Sequence, residues 1–277
     1  MTMTKGRTIE HLGALLRESR RITVLTGAGM STESGIPDFR SSGGLYTSGV
    51  SEEVFDIRAF DRDPAIFYTF ARAFLRDTLR AQPNAGHRAL AALARTHDKE
   101  VHVCTQNIDS LHQEAGSPAV YPLHGTLQTA RCRTCGERIA SAALWPEIHA
   151  GRIPRHGGCG GVMKPDIVFF GEPLPPDAWA ASERAARTAD LFVVAGTSLA
   201  VYPAAGLPAL RAPACRLVMI NRTPTPLDGE AELVLHTSIA DALAQAVGGG
   251  TAPEKTAPLP PTKGGRHDDA RTVFESH

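Results

Sequence analysis

The sequence predicts an α/β fold, a parallel sheet with helices covering both faces. Three observations carry this expectation. Four short apolar runs, at residues 22–25, 101–104, 191–195 and 217–220, read as buried strands. Helical patterns lie between several of them, as the crossovers of parallel strands require. Each run also gives way to a polar or glycine-containing segment, at Gly27, Gln106, Gly196 and Asn221. Strands that are apolar throughout belong to sheets buried on both faces. Ligands of such sheets sit beyond the carboxyl ends of the strands, so these four segments are expected to share one crevice.

In chain order, Thr8 is placed to cap a helix whose apolar face is Ile9, Leu12, Leu15 and Leu16. The strand at 22–25 follows and opens into a polar loop. Residues 45–60 read as irregular. Amphipathic or alanine- and leucine-rich patterns predict helices over 65–79 and 84–95, and a third over 178–188. The run Ile167-Val168-Phe169-Phe170 reads as an ordinary core strand. From Gly248 the character changes: Gly248-Gly249-Gly250, then Pro253, Pro258, Pro260 and Pro261, with little apolar content. Such a segment cannot bury enough surface to offset its ordering entropy, so 248–277 is expected to be a flexible tail and 1–247 the folded part.

Length and a 42% hydrophobic content suit one large domain or two intimate ones. Lys+Arg and Asp+Glu are equal at 29, which argues against recruitment of nucleic acid or anionic membrane. No apolar run approaches a membrane span, and the N-terminus lacks the apolar core of a signal peptide. Five cysteines, two of them as Cys132-x-x-Cys135, suit a reducing compartment and a metal better than disulfides. A cytoplasmic location is expected.

The chemistry concentrates in a few strings. Thr26-Gly27-Ala28-Gly29-Met30-Ser31 brings backbone N–H groups close to an anion, as a dinucleotide pyrophosphate needs. Thr32 stands where G-x-G-x-x-G would have its third glycine, and Gly35 and Pro37 keep a helix from following at once. Gln106 and Asn107 carry amides that both donate and accept, which suits a ribose and a carboxamide. His124, between Leu123 and Gly125, has the imidazole of a base at neutral pH. Cys132-x-x-Cys135 and His156-Gly157-Gly158-Cys159, about 20 residues apart, have the spacing of a zinc ribbon. Cys104 and Cys215 lie in apolar strand contexts and read as core.

Several of these strings, with Gly35-Ile36-Pro37-Asp38-Phe39-Arg40, Thr105-Gln106-Asn107-Ile108-Asp109-Ser110-Leu111-His112, Leu123-His124-Gly125, Lys164-Pro165-Asp166-Ile167-Val168-Phe169-Phe170-Gly171-Glu172, Gly196-Thr197-Ser198-Leu199 and Ile220-Asn221, resemble the sirtuin family, the NAD-dependent protein-lysine deacylases. The likeness spans roughly residues 20 to 240. It implies a Rossmann-like part at about 1–44, 86–126 and 166–247, and a smaller zinc-ribbon plus helical part at about 45–85 and 127–165. It implies His124 as catalytic base and Asn107 as the residue placing the nicotinamide ribose. Gly27, Ala28, Gly29, Ser31, Gln106, Asp109, Gly196, Thr197, Ser198, Asn221 and Ile239 would contact NAD. Asp38, Phe39 and Arg40 would lie in a loop closing over it, with Phe39 shielding the reactive ribose carbon. Ile167, Val168, Phe170, Gly171 and Val201 would line the acyl-lysine tunnel and flank the substrate peptide. An apolar sleeve suits an uncharged acetyl-lysine.

Two departures from the family pattern matter. The family has two C-x-x-C pairs, and here His156 stands in the place of one cysteine. A closed Cys₃His set of Cys132, Cys135, His156 and Cys159 around one structural zinc is expected, the alternative being a decayed site with His156 in solvent. Sirtuins preferring succinyl or malonyl groups carry a Tyr-x-x-Arg pair, whereas Tyr68 is followed at the third position by Ala71 and then Arg72. The resemblance therefore implies an NAD-consuming protein-lysine deacetylase acting on acetylated protein or peptide, with oligomeric state open. Alternatives are a deacylase of another acyl preference, a mono-ADP-ribosyltransferase on the same scaffold, a hydride-transferring dehydrogenase, or a zinc-ribbon binding module without catalysis.

Overall fold

A computed structural model describes residues 5–248, without the side chains of residues 5–7, 76 and 77. The segment expected as a tail lies outside the described residues beyond Gly248. Helix α1 (Lys5–Glu18) leads into strand β1 (Arg21–Thr26), and two short 3₁₀ turns and a loop follow. Helices α2 (Ile57–Arg62), α3 (Ala65–Thr78) and α4 (Ala85–Ala94) precede strand β2 (Glu100–Thr105), the short helix α5 (Leu111–Glu114) and strand β3 (Val120–Pro122). The chain then builds β4 (Gly125–Cys132), β5 (Arg138–Ala140), α6 (Trp145–His149) and β6 (Met163–Ile167). It closes with α7 (Pro176–Thr188), β7 (Leu191–Ala195), β8 (Arg216–Ile220), β9 (Leu233–Leu235) and α8 (Ile239–Val247).

Six strands form a wholly parallel sheet in the order β3-β2-β1-β7-β8-β9. This is the doubly wound order, and it reverses between β1 and β7. The strands are apolar throughout because both faces are packed. Ile22, Val24, Leu191 and Val193 point into a core with Leu12, Leu16, Leu90 and Leu243 from α1, α4 and α8. The alternate residues Leu25, Phe192, Val194, Leu217 and Met219 face Ala186 of α7 and Leu207 on the other side.

A second, three-stranded antiparallel sheet has the order β5-β4-β6. It shares a separate core with α2 and α3, rich in aromatic rings: Phe55, Phe60, Phe67 and Phe169 meet edge-on or tilted at 5.2–6.4 Å. Such pairs add to the energy of simple burial.

Several expectations are corrected. Helix α1 starts at Lys5, so Thr8 lies in its first turn and does not cap it. Residues 45–60 are not irregular throughout: a 3₁₀ turn at Glu52–Phe55 is capped by Ser51, and α2 is capped by Asp56, whose Oδ1 accepts from the N–H groups of Arg58 and Ala59. The apolar run after Lys164 is a strand only to Ile167. Beyond it Phe170 pairs with residues 55–57 through Phe170 N–H to Phe55 O and Ile57 N–H to Phe170 O.

Candidate active site

The crevice begins where β1 and β7 end side by side. Gly27 N–H donates to Ala195 O at 3.1 Å and Gly29 N–H to Gly196 O at 2.9 Å, so the two turns are hydrogen-bonded to each other. No side chain fits at this junction. A Cβ on Gly27 would lie 2.7 Å from the Thr197 Cβ, and one on Gly29 would lie 2.9 Å from the Gly196 Cα. Gly196 itself has φ +69°, and a Cβ there would meet the Met30 nitrogen and, at 2.8 Å, Ile239 Cδ1. The result is a cradle walled by main chain at the point where strand order reverses, which suits a dinucleotide.

Polar side chains converge on this cradle from the ends of β1 and β2. Asn107 Nδ2 donates to Gly27 O at 3.1 Å and to Ser31 Oγ at 3.0 Å, and Ser31 Oγ donates to Asp109 Oδ2 at 2.6 Å. All three residues are buried. Burial pushes the Asp109 carboxyl upward, and the Ser31 hydroxyl opposes that shift. Gln106 Nε2 donates to Thr197 Oγ1 at 3.0 Å, tying the β2 turn to the β7 turn. Asn221 follows β8, with its N–H bonded to Leu235 O. The four strand-end segments therefore do share one crevice. Ala28 lies in the first turn and is half-buried, Ser198 is exposed on the rim, and Arg222 pairs with Glu33 at 3.6 Å.

His124 sits where the chain leaves the large sheet for the small one. Leu123 N–H still bonds to Thr105 O, while His124 O already accepts from Val168 N–H at 2.8 Å. Gly125, at φ +77°, makes the turn, and a Cβ there would run into the Asp166 carbonyl. His124 Nδ1 lies 3.0 Å from Gln106 O. A carbonyl only accepts, so Nδ1 carries the hydrogen and Nε2 keeps its lone pair. Burial lowers the His124 pKa, against the opposing Gln106 bond, and so favours the neutral ring. This arrangement can take a proton.

Beside it, Val168 is half-buried and Phe170 and Gly171 are exposed. The segment is anchored from below by a pair that sequence reasoning missed. Lys164 is buried, donates from Nζ to Ile167 O at 2.7 Å and to Glu172 Oε2 at 2.8 Å, and lies 4.1 Å from the centre of the Phe169 ring. Glu172 also accepts from Phe169 N–H. The only signal was an acid and a base bracketing an apolar run. Val201 is half-buried beyond Leu199, which adopts φ +55°. Asp38, Phe39 and Arg40 have partners in their own loop and in the small core. Asp38 Oδ1 accepts from Ser41, Phe39 packs on Tyr46 and Phe55, and Arg40 lies over Tyr46 and 3.9 Å from Glu52.

The cysteine cluster closes around the ends of the small sheet. The ligand atoms of Cys132, Cys135, His156 and Cys159 all lie within 4.8 Å of one another. Cys132 and Cys159 sulfurs are 3.5 Å apart, and His156 Nδ1 is 3.4 Å from Cys135 Sγ and 3.2 Å from Cys159 Sγ. Tetrahedral zinc with bonds of about 2.0–2.3 Å places its ligand atoms roughly 3.5–3.8 Å apart, so the four residues fit one structural zinc. The Cys132 thiol is lowered to about 7, chiefly by the backbone N–H of Cys135, which favours the metal-binding thiolate. His149 stands apart, against Trp145.

The Sir2 family model matches residues 27–203, from the first glycine of the cradle to beyond the β7 turn. The chain belongs to the Sir2 family. It is 44% identical over 240 residues to an NAD-dependent protein deacetylase of Cutibacterium acnes, covering 84% of this chain and 95% of that one. It is 43% identical over 230 residues to an NAD-dependent protein deacylase of Mycobacterium tuberculosis, covering 80% and 94%. A Sir2 complex with p53 peptide and NAD⁺ superposes with a TM-score of 0.80 at 38% identity, covering 87% of this chain and 98% of that chain. A Sir2 complex with a deacetylated p53 peptide and 3′-O-acetyl ADP-ribose does so with 0.83, also at 38% identity, covering 88% and 100%. The Sir2 resemblance read from the sequence motifs is thus borne out, and with it the doubly wound sheet and the metal-binding module.

Proposed function

We propose that this Sir2-family chain is an NAD-dependent protein-lysine deacetylase acting on acetylated protein or peptide. The observation that carries the reading is the convergence of a side-chain-free main-chain cradle at the switch point with a neutral His124 whose Nε2 is free. NAD, as consumed co-substrate, supplies a ribose that loses nicotinamide and receives the acetyl group, and one water completes the hydrolysis, so that the products are nicotinamide, lysine and O-acetyl-ADP-ribose.

Gly27, Ala28, Gly29, Gly196 and Thr197 would hold the phosphates through main-chain N–H groups and the Thr197 hydroxyl. Asn221, Ile239 and Ser198 would meet the adenosine side. Asn107, Gln106, Ser31 and Asp109 would orient the nicotinamide ribose and carboxamide, each side chain pinned by a neighbour before the ligand arrives. Such preorganisation lowers the cost of reaching a reactive geometry. His124 would accept a proton from a ribose hydroxyl at Nε2. Asp38, Phe39 and Arg40 would exclude water by closing over the site. Ile167, Val168, Phe170, Gly171 and Val201 would receive the extended peptide by strand addition and sleeve the acyl-lysine. The crevice would lie between a Rossmann-like part and a smaller part comprising residues 45–85 and 127–165. A cytoplasmic location fits the reduced, metal-binding cysteines.

Acetyl as the favoured acyl group is supported by α3. Tyr68 is 4% exposed and its hydroxyl donates to Met163 O, so it is committed to the core. Ala71 is buried, and the Arg72 guanidinium lies over Gly151. A succinyl carboxylate would find no charged partner here. Release of nicotinamide that requires an acetyl-lysine peptide and yields no NADH would support the reading. NADH accumulation would refute it in favour of a dehydrogenase.

A further inference from the structure

We propose that the buried residue His112 positions His124 through a hydrogen-bonded chain that ends in a single peptide group. The inference rests on the reading of His124 as base, and names residues that set its tautomer and orientation.

The chain can be followed atom by atom. His124 Nδ1 donates to Gln106 O at 3.0 Å. The N–H of that same peptide belongs to Asn107 and donates to Thr105 Oγ1 at 3.0 Å. Its plane is therefore held from both sides, by the base it orients and by a hydroxyl beneath it. Thr105 Oγ1 also accepts from Thr26 Oγ1 at 2.8 Å, and Thr26 and Thr105 are register partners at the last rung of β1 and β2. Thr26 Oγ1 lies 3.0 Å from His112 Nε2. The single Thr26 proton is already given to Thr105, so His112 Nε2 carries a hydrogen and donates it to Thr26.

His87 packs against His112 beyond the end of the chain. Its Nδ1 lies 3.3 Å from Asn84 N, and a backbone N–H only donates, so the His87 hydrogen sits on Nε2. His112 Nδ1 and His87 Nε2 are both buried without a hydrogen-bond partner although the ring centroids lie 4.7 Å apart, so the chain ends at His112. Both rings are buried, at 1% and 0% exposure, and burial depresses both pKa values. Asn84, which caps α4, donates from Nδ2 to Met30 O at 2.8 Å on the loop that forms the glycine cradle.

A role in packing alone would be met more cheaply by apolar side chains, because each buried imidazole must be desolvated. What the polar chain supplies is direction. Thr26 Oγ1 and the Asn107 N–H both donate to Thr105 Oγ1, which fixes the Gln106–Asn107 peptide plane and aims the Gln106 carbonyl at His124. His112 is a positioning residue and touches no substrate.

The test uses the full chain, with ¹⁵N-histidine labelling and steady-state kinetics on NAD and an acetyl-lysine peptide. Thr105→Val keeps the volume and removes the link, His112→Leu removes the donor, and His112→Gln keeps an N–H near the Nε2 position. We expect Thr105→Val and His112→Leu to lower kcat about tenfold or more with both KM values within about threefold, and His112→Gln to recover most of kcat. The His124 resonances should report hydrogen on Nδ1 in the parent and a tautomer mixture in Thr105→Val. Should His112→Leu fail to fold, Thr105→Val decides alone. Parental kcat together with an unchanged His124 tautomer in a folded Thr105→Val protein would overturn the proposal. Parental turnover in His124→Ala would instead refute the reading of the base, while the tautomer measurement would still test the coupling.

Discussion

His124 donates from Nδ1 to Gln106 O, and that one bond leaves Nε2 as the nitrogen available to the crevice. Replacing His124 with alanine should reduce acetyl-peptide turnover by about 10²–10⁴-fold while thermal unfolding stays close to the parent. Turnover within a few-fold of the parent would contradict the assignment. A second residue-scale expectation concerns acid stability. Burial, with the Arg88 charge, holds His87 down to about 4, and burial with the His87 neighbour holds His112 low as well. An unfolded histidine titrates near 6.5, so below that pH the unfolded chain binds protons that the folded chain refuses. Stability is fully present above about 6.5 and is lost as pH falls toward 4, by about 3 kcal/mol from His87. Urea unfolding between pH 7 and 4.5 should show this slope, and His87→Gln should flatten it. An equal slope in both proteins would show that His87 does not carry the effect. Among site residues, those in contiguous strings with distinctive chemistry were legible. Thr105, His112 and Lys164 stand in such strings too, but their roles were not legible, because a threonine, a buried histidine and a lysine acquire meaning only from partners distant in sequence.

At the scale of elements, two modules make predictions of their own. The metal knuckles should bind about one zinc per chain, and since metal affinity adds to folding free energy, chelation should lower the melting temperature. His156→Ala should weaken zinc retention in a chelator competition, whereas His156→Cys should preserve or strengthen it. Retention unchanged in His156→Ala would return His156 to solvent and the site to three ligands. With Tyr68 spent on Met163 O and Ala71 in the third position of helix α3, kcat/KM should favour acetyl- over succinyl-lysine on one peptide. A preference for succinyl would mean that Arg72 leaves Gly151 to clamp the carboxylate. Helix α3 was legible because it is long enough to show its apolar period, and so were the central strands. β3 and β9 span three residues each, too few for any periodicity. Helix α2 and helix α8 escaped although Asp56 and Ser238 cap them, the latter accepting from Asp241 N–H.

For the whole molecule, the doubly wound order explains why segments far apart in sequence meet. Gly27, Gln106, Gly196 and Asn221 each follow a strand, and parallel pairing brings their strand ends to one edge. That much followed from the alternation of strands and helices. The small sheet did not, since β5 spans three residues, β4 and β6 are mixed in polarity, and the four candidate ligands come together only in the fold. Joining the two at His124 and Gly125 places the base between cradle and peptide segment. The most direct measurement of the central claim is the mass of the products formed from NAD and an acetyl-lysine peptide. The account predicts equal amounts of nicotinamide, deacetylated peptide and O-acetyl-ADP-ribose. ADP-ribose attached to protein with the acetyl group retained, or NADH in place of nicotinamide, would contradict it.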